Sequence, residues 1–222
     1  MKIDSTVIIR KLGRQDYQTC WQTMRAFTDE RNESTVDEIW LVEHNPVYTQ
    51  GQNGKPEHLI NLKSIPLVQT DRGGQVTYHG PGQLVAYALV DLKRKKKNVR
   101  EMVISLEKSV IELLANFKIN ALGKREAPGV YIDHKKICSI GLRIRKGCSY
   151  HGLAFNIEMD MTPFLGINPC GFKQLAMTQL SHYVQPISME EVELQLMDYL
   201  IKNLSYNNFL IETSFKVNSN AR

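Results

Sequence analysis

Cys170 is the residue whose local setting points most directly to chemistry. It lies in Asn168-Pro169-Cys170-Gly171-Phe172, a turn-forming stretch that keeps the thiol out of a helix or strand and places it on a bend. Most lone cysteines are small buried hydrophobes, but proline and glycine on either side argue against that here. An ordinary thiol is only a few per cent ionised at neutral pH, so a nucleophilic cysteine needs a cation or a base beside it. Lys136, His79 and His151 are the candidates. The other cysteines read as structural: Cys138 falls on an apolar strand face and Cys148 beside a hairpin turn. No CxxC or HExxH occurs, and the histidines at 44, 58, 79, 134, 151 and 182 are scattered, so no metal site is expected.

A second unusual segment is Arg72-Gly73-Gly74-Gln75-Val76-Thr77-Tyr78-His79-Gly80-Pro81-Gly82-Gln83, with four glycines in twelve residues. Glycines let a backbone approach a ligand and expose N–H donors, while Arg72 and His79 add a charge and a polar group. The segment is not a P-loop. Gly80-Pro81-Gly82 also fails the dinucleotide fingerprint, because it precedes an apolar strand instead of a helix.

The elements that must hold these residues follow from periodicity. Tyr17, Cys20, Trp21, Met24 and Phe27 recur at helical spacing within residues 14–30, and a second apolar stripe spans 101–117. Ser188-Met189-Glu190-Glu191 is a capping-box start for a third helix. Residues 39–42 and 84–90 read as buried strands, and 45–55 as a loop, with Tyr48 in it and His44 just before it, both able to face a site. Residues 136–145 and 149–158 form a hairpin across Lys146-Gly147. In that register Ser139 faces Ala154 and Gly141 faces Gly152, leaving one side of the hairpin nearly without side chains. A ligand or a closely packed helix would have to cover it. Alternation places Lys136 on the opposite, apolar face with Ile140 and Leu142, unless a bulge intervenes.

With 222 residues and 42% hydrophobic composition the chain suits one globular domain, taken as residues 1–212 with a polar tail from 213 to 222. No apolar run is long enough to span a bilayer and no signal peptide is visible, so a cytoplasmic protein is expected. The net charge of +5 allows an acidic partner. The densest basic run, Lys93-Arg94-Lys95-Lys96-Lys97, lacks interleaved aromatics and reads as a solvated loop in preference to a nucleic-acid site.

Five segments taken together resemble the octanoyltransferase (lipoate-protein ligase B) family within the biotin and lipoate protein ligase superfamily. They are 43–51, 72–83, Lys136-Ile137-Cys138-Ser139-Ile140-Gly141-Leu142-Arg143, Ser149-Tyr150-His151-Gly152-Leu153-Ala154-Phe155-Asn156 and Asn168-Pro169-Cys170-Gly171, in family order. The resemblance implies an α+β domain with helices around a mixed, largely antiparallel sheet. It implies an acyl-thioester on Cys170 with Lys136 assisting, and substrate contacts at Arg72, Gly73, Gly74, Gln75, Val76, Thr77, Tyr78 and His79, at Ser139, Ile140 and Gly141, and at Gly152, Leu153 and Ala154. The donor would be octanoyl-acyl carrier protein. The acceptors would be lipoyl domains of 2-oxoacid dehydrogenases and the glycine cleavage H protein, served by a monomer without a cofactor. An ATP-dependent lipoate or biotin ligase of the same fold is the alternative.

Overall fold

The computed structural model describes residues 3–173 and 175–215. Eleven strands and three α-helices are present among them: β1 (Thr6–Gln15), α1 (Tyr17–Glu30), β2 (Asp37–His44), β3 (Val47–Gln50), β4 (Leu67–Gln69), β5 (Val76–His79), β6 (Gln83–Leu89), α2 (Val99–Asn116), β7 (Leu122–Gly123), β8 (Gly129–Ile132), β9 (Lys135–Arg145), β10 (Cys148–Asn156), α3 (Met189–Asn203) and β11 (Asn208–Glu212). Eight strands form one sheet in the order β11-β1-β2-β6-β10-β9-β8-β7, and β4-β3-β5 form a second. β1 runs parallel to both β2 and β11, while the other neighbours in the large sheet are antiparallel.

The helices begin where side chains can satisfy their free N–H groups. Asp16 caps α1 by accepting from Thr19, Asn98 and Glu101 form a reciprocal box at α2, and Ser188 accepts from the Glu191 amide at α3. α2 and α3 cover one face of the large sheet, burying Leu106, Val110, Leu113, Leu196 and Leu200 against Leu84, Leu153 and Phe155. On the other face α1 buries Tyr17, Cys20 and Met24 against Trp40, Val85, Tyr87 and Tyr150. No helix is long and apolar enough to cross a membrane.

The 45–55 segment differs from its reading as a loop, since Val47–Gln50 is a strand buried along its length. Only four residues long and flanked by proline and glycine, it has too little pattern to show its pairing with β4 and β5. β1 was equally hidden: its Arg10 is buried through Glu38 and Glu212, so a charged residue occupies a core position. Three members of the basic run are engaged in the fold. Arg94 bonds Asp37, Lys95 bonds the carbonyls of Asp4 and Ser205, and Lys97 bonds Ser105. Ser214 accepts from Arg10 and Phe215 packs on Trp40, while 216–222 of the tail lie outside the described residues.

Candidate active site

The hairpin register is the one the sequence predicts. Gly141 pairs with Gly152 and Ser139 with Ala154, and Lys146 and Gly147 both take positive φ, 51° and 82°, as a two-residue primed turn requires. The side-chain-poor strip lies on the α1 face and forms the floor of a cleft of about 340 Å³, within the usual range of small-molecule sites. The roof is the glycine-rich segment, anchored where Gly73 N–H donates to the Leu142 carbonyl at 2.9 Å.

At the mouth, Lys136 Nζ donates to Cys170 Sγ at 3.0 Å. Two backbone features create this contact. The pairing of β8 with β9 slips between Val130 and Tyr131, so Ile137 is an extra, bulged residue; the bulge turns Lys136 away from the face that alternation assigns to it. The segment after Cys170 then docks on the start of β9, with Lys136 N–H bonded to the Ala176 carbonyl and Thr178 N–H to the Lys136 carbonyl. Cys170 itself has φ 57°, a left-handed conformation unusual for a non-glycine residue and common where function fixes the backbone. Gly129 completes the slot, because a Cβ there would collide with Lys136 Cε. Glu107 on α2 accepts the Gly129 N–H at 3.0 Å.

Lys136 is 1% exposed. Burial pushes its ammonium down, but its interactions with Cys170 and then Tyr131 outweigh burial and leave it above its ordinary value. An ammonium at that distance stabilises a thiolate electrostatically, the condition a nucleophilic cysteine needs.

Deeper in the cleft the histidines and Tyr17 are held neutral, while Arg72 keeps its charge. Burial lowers His79 well below its ordinary value, with His44 as the next cause, and takes His44 itself to about 4. Tyr17 rises to about 12 by burial. His79 is bonded to Gln83 and Thr49, and His44 to the Gln15 carbonyl and the Tyr87 hydroxyl. The Arg72 guanidinium is held by Thr49 and the Gly73 carbonyl. His151, with φ 60°, bonds Asp71 through Nε2 at 2.9 Å, and its Nδ1 has no hydrogen-bond partner among the described residues. The sulfur is therefore partnered by Lys136, and neither His79 nor His151 is bonded to it.

The cleft gathers Cys170, Lys136, Arg72, Gly73, Gly74, Gln75, Val76, Thr77, His79, Ser139, Ile140, Gly141, Gly152, Leu153 and Ala154. Tyr78 is not among its lining residues. It lies on the other face of β5, in a cluster with Tyr48 and Phe164, because neighbours on a strand point to opposite sides. Gly152 also needs correction as open floor. A Cβ there would strike the Ala86 carbonyl of β6, so the neighbouring strand and not the cleft demands this glycine. Left-handed His151 immediately before it turns the backbone that way. At Gly141 a Cβ would meet the Gly73 carbonyl at 3.0 Å and Arg72 Cδ at 3.5 Å, inside the cleft. Sequence reasoning missed Tyr17, Val85, Tyr87, Pro128 and Phe172 as lining residues. Tyr17 and Tyr87 carry no local signal, since each sits in an ordinary apolar pattern.

Fold and site define a single-domain catalytic module, a mixed sheet between helices with a cysteine–lysine pair at the mouth of a deep cleft. The chain belongs to the lipoyl protein ligase A/B catalytic domain family, whose model matches residues 16–201. Among its relatives, the octanoyltransferase of Vibrio cholerae is 58% identical over 204 residues, covering 92% of this chain and 94% of the relative. That of Vibrio atlanticus is 52% identical over 219 residues, covering 99% and 100%. The fold is that of a lipoate-protein ligase A solved with ATP, with TM-score 0.79, 16% identity and coverage of 95% and 90%. A biotin protein ligase from Aquifex aeolicus matches with TM-score 0.52 and 17% identity, covering 90% of this chain and 68% of that one.

Proposed function

We propose that Cys170 carries the acyl group as a thioester between donor and acceptor, in an enzyme whose activity is octanoyl transfer. The contact between Lys136 Nζ and Cys170 Sγ, at the mouth of a cleft whose histidines are held neutral, carries this reading. The donor is octanoyl-acyl carrier protein and the acceptors are lysines of lipoyl domains, including those of 2-oxoacid dehydrogenases and the glycine cleavage H protein.

The proton count closes on Lys136. In the resting pair the thiolate attacks the donor carbonyl, and the departing carrier thiolate takes a proton from the Lys136 ammonium. The sulfur then bears no charge, so the larger of the two influences that raised Lys136 is gone and burial favours the neutral amine. When the acceptor amine attacks the thioester, Lys136 takes its proton back and Cys170 leaves as thiolate. Thioester exchange is near neutral and amide formation from a thioester is downhill, so the sequence of steps needs no ATP.

The test is intact-mass measurement after mixing with octanoyl-acyl carrier protein without ATP. Wild type should gain one octanoyl mass and lose it on adding a lipoyl domain. Transfer that requires ATP and leaves no adduct would point instead to an adenylating ligase.

A further inference from the structure

A second groove of about 550 Å³ opens beside the cleft and shares Glu126, Ala127 and Phe172 with it. Its own walls are Tyr131, Leu175, Lys124 and Lys173. The Tyr131 ring joins the groove to the reacting pair, with its centroid 5.3 Å from Lys136 Nζ and 4.3 Å from Lys124 Nζ. Phe172 is 49% exposed between the two cavities. Among the described residues neither Lys124 nor Lys173 is paired with a carboxylate, while Glu126 on the rim is the groove's one acidic side chain.

From this juxtaposition we infer that the groove receives the phosphopantetheine arm of the donor, with Lys124 and Lys173 facing its phosphate; the inference rests on the thioester reading above. A thioester has two substituents on its carbonyl carbon. When that carbon reaches Cys170 and the acyl chain fills the main cleft, the sulfur-linked arm must leave by another path, and this groove opens at the same rim. Its surface offers both kinds of contact that the arm needs. Phe172, Leu175 and Tyr131 offer apolar contact to the methyl-bearing middle, and two cations answer the anionic end. Reach is sufficient: an arm of about a dozen single bonds of ~1.5 Å spans on the order of 15 Å, and Lys173 follows Cys170 by three residues, at most roughly 10 Å of chain. The acceptor presents a lysine side chain and no phosphate, so the two cations serve the donor half-reaction.

The experiment measures the rate of Cys170 acylation by mass with three octanoyl donors: pantetheine, phosphopantetheine and the acyl carrier protein. In Lys124→Glu/Lys173→Glu, acylation by both phosphate-bearing donors should fall on the order of 10-fold, with the pantetheine rate and transfer from preformed acyl-enzyme to a lipoyl domain unchanged. Lys124→Met/Lys173→Met, with its melting temperature recorded, should give the same pattern at smaller amplitude and controls for loss of the Tyr131 contact. Equal slowing of all three donors, slowing of the carrier protein alone, or slowing confined to the second half-reaction would each overturn the assignment. If no octanoyl thioester acylates wild-type Cys170, the thioester reading itself fails, a result distinct from any of these.

Discussion

The mouth and the depth of the cleft use similar residue types to opposite ends. At the mouth a buried lysine and a cysteine touch, and the contact holds Lys136 above its ordinary value despite its burial. In the depth, His44, His79 and His151 are pushed toward neutrality by burial and bonded to neutral groups or, for His151, to Asp71. Burial is common to both regions; what differs is the partner, a lysine against a thiol at the mouth and, apart from the Asp71 carboxylate on His151, neutral groups around the imidazoles. A lysine against a thiol can exchange protons with it, whereas neutral imidazoles and apolar carbon suit a hydrocarbon chain, which repays no desolvated charge.

The largest effect should follow from removing the charge-bearing sulfur. Cys170→Ala should abolish the octanoyl adduct and cut turnover by on the order of 10⁴ or more, while Cys138→Ala and Cys148→Ala keep the adduct by mass. An adduct that persists in Cys170→Ala would erase the distinction between mouth and depth.

Next in size is Lys136→Met, which should lower turnover by roughly 10²–10⁴ and slow iodoacetamide alkylation of Cys170 near neutral pH. His79→Gln and His151→Phe should leave alkylation near the wild-type rate. If either histidine variant slows it as much as Lys136→Met, the depth takes part in activation after all.

The neutral histidines predict an acid-sensitive fold. His44 binds a proton less readily folded, at about 4, than unfolded, at its ordinary 6.5. The unfolded chain therefore holds more protons between these values, and stability must fall as pH drops through that window, by up to about 3 kcal/mol for this residue. Thermal melts from pH 8 to pH 4 should be flat above 6.5 and decline below it. His44→Gln should show a shallower decline, and identical slopes would show that His44 is not held neutral.

Smallest is the contrast between the two opposed glycines. Gly152→Ala should lose about 1–3 kcal/mol through overpacking against β6, seen as a lowered melting temperature with chain-length preference unchanged. Gly141→Ala, whose Cβ meets Gly73 and Arg72 in the cleft, should melt closer to wild type and raise KM for the octanoyl donor. Equal melting temperatures would put both glycines on the same footing.

Much of this was legible in the sequence. The pairing across Lys146-Gly147 was readable because a two-residue turn fixes register once the strands are known, and the register in turn revealed the bare strip. The helix start at Ser188 was readable from its capping residues, whereas the stripe placed the first helix from residue 14 and the structure starts it at Tyr17, because β1 runs to Gln15 and Asp16 caps the helix. The conflict over Lys136 was readable too, as a residue whose alternation disagreed with the role the resemblance implied, with a bulge as the way out.

The residue pattern speaks for local features: which segments alternate, where turns and caps fall, and that Cys170 sits on a bend between proline and glycine. The tertiary structure decided which groups meet. Lys136 reaches Cys170 because one bulged residue turns it and because residues 176–178 pair with the start of β9 from about forty positions away. Tyr78 leaves the cleft, and Gly152 answers to β6, because β5 and β10 lie against partners that no local pattern names. Periodicity reports which side of an element is apolar; it carries no information about what a distant strand will place opposite it, and charge compensation, backbone collisions and the cleft itself all arise from those non-local neighbours.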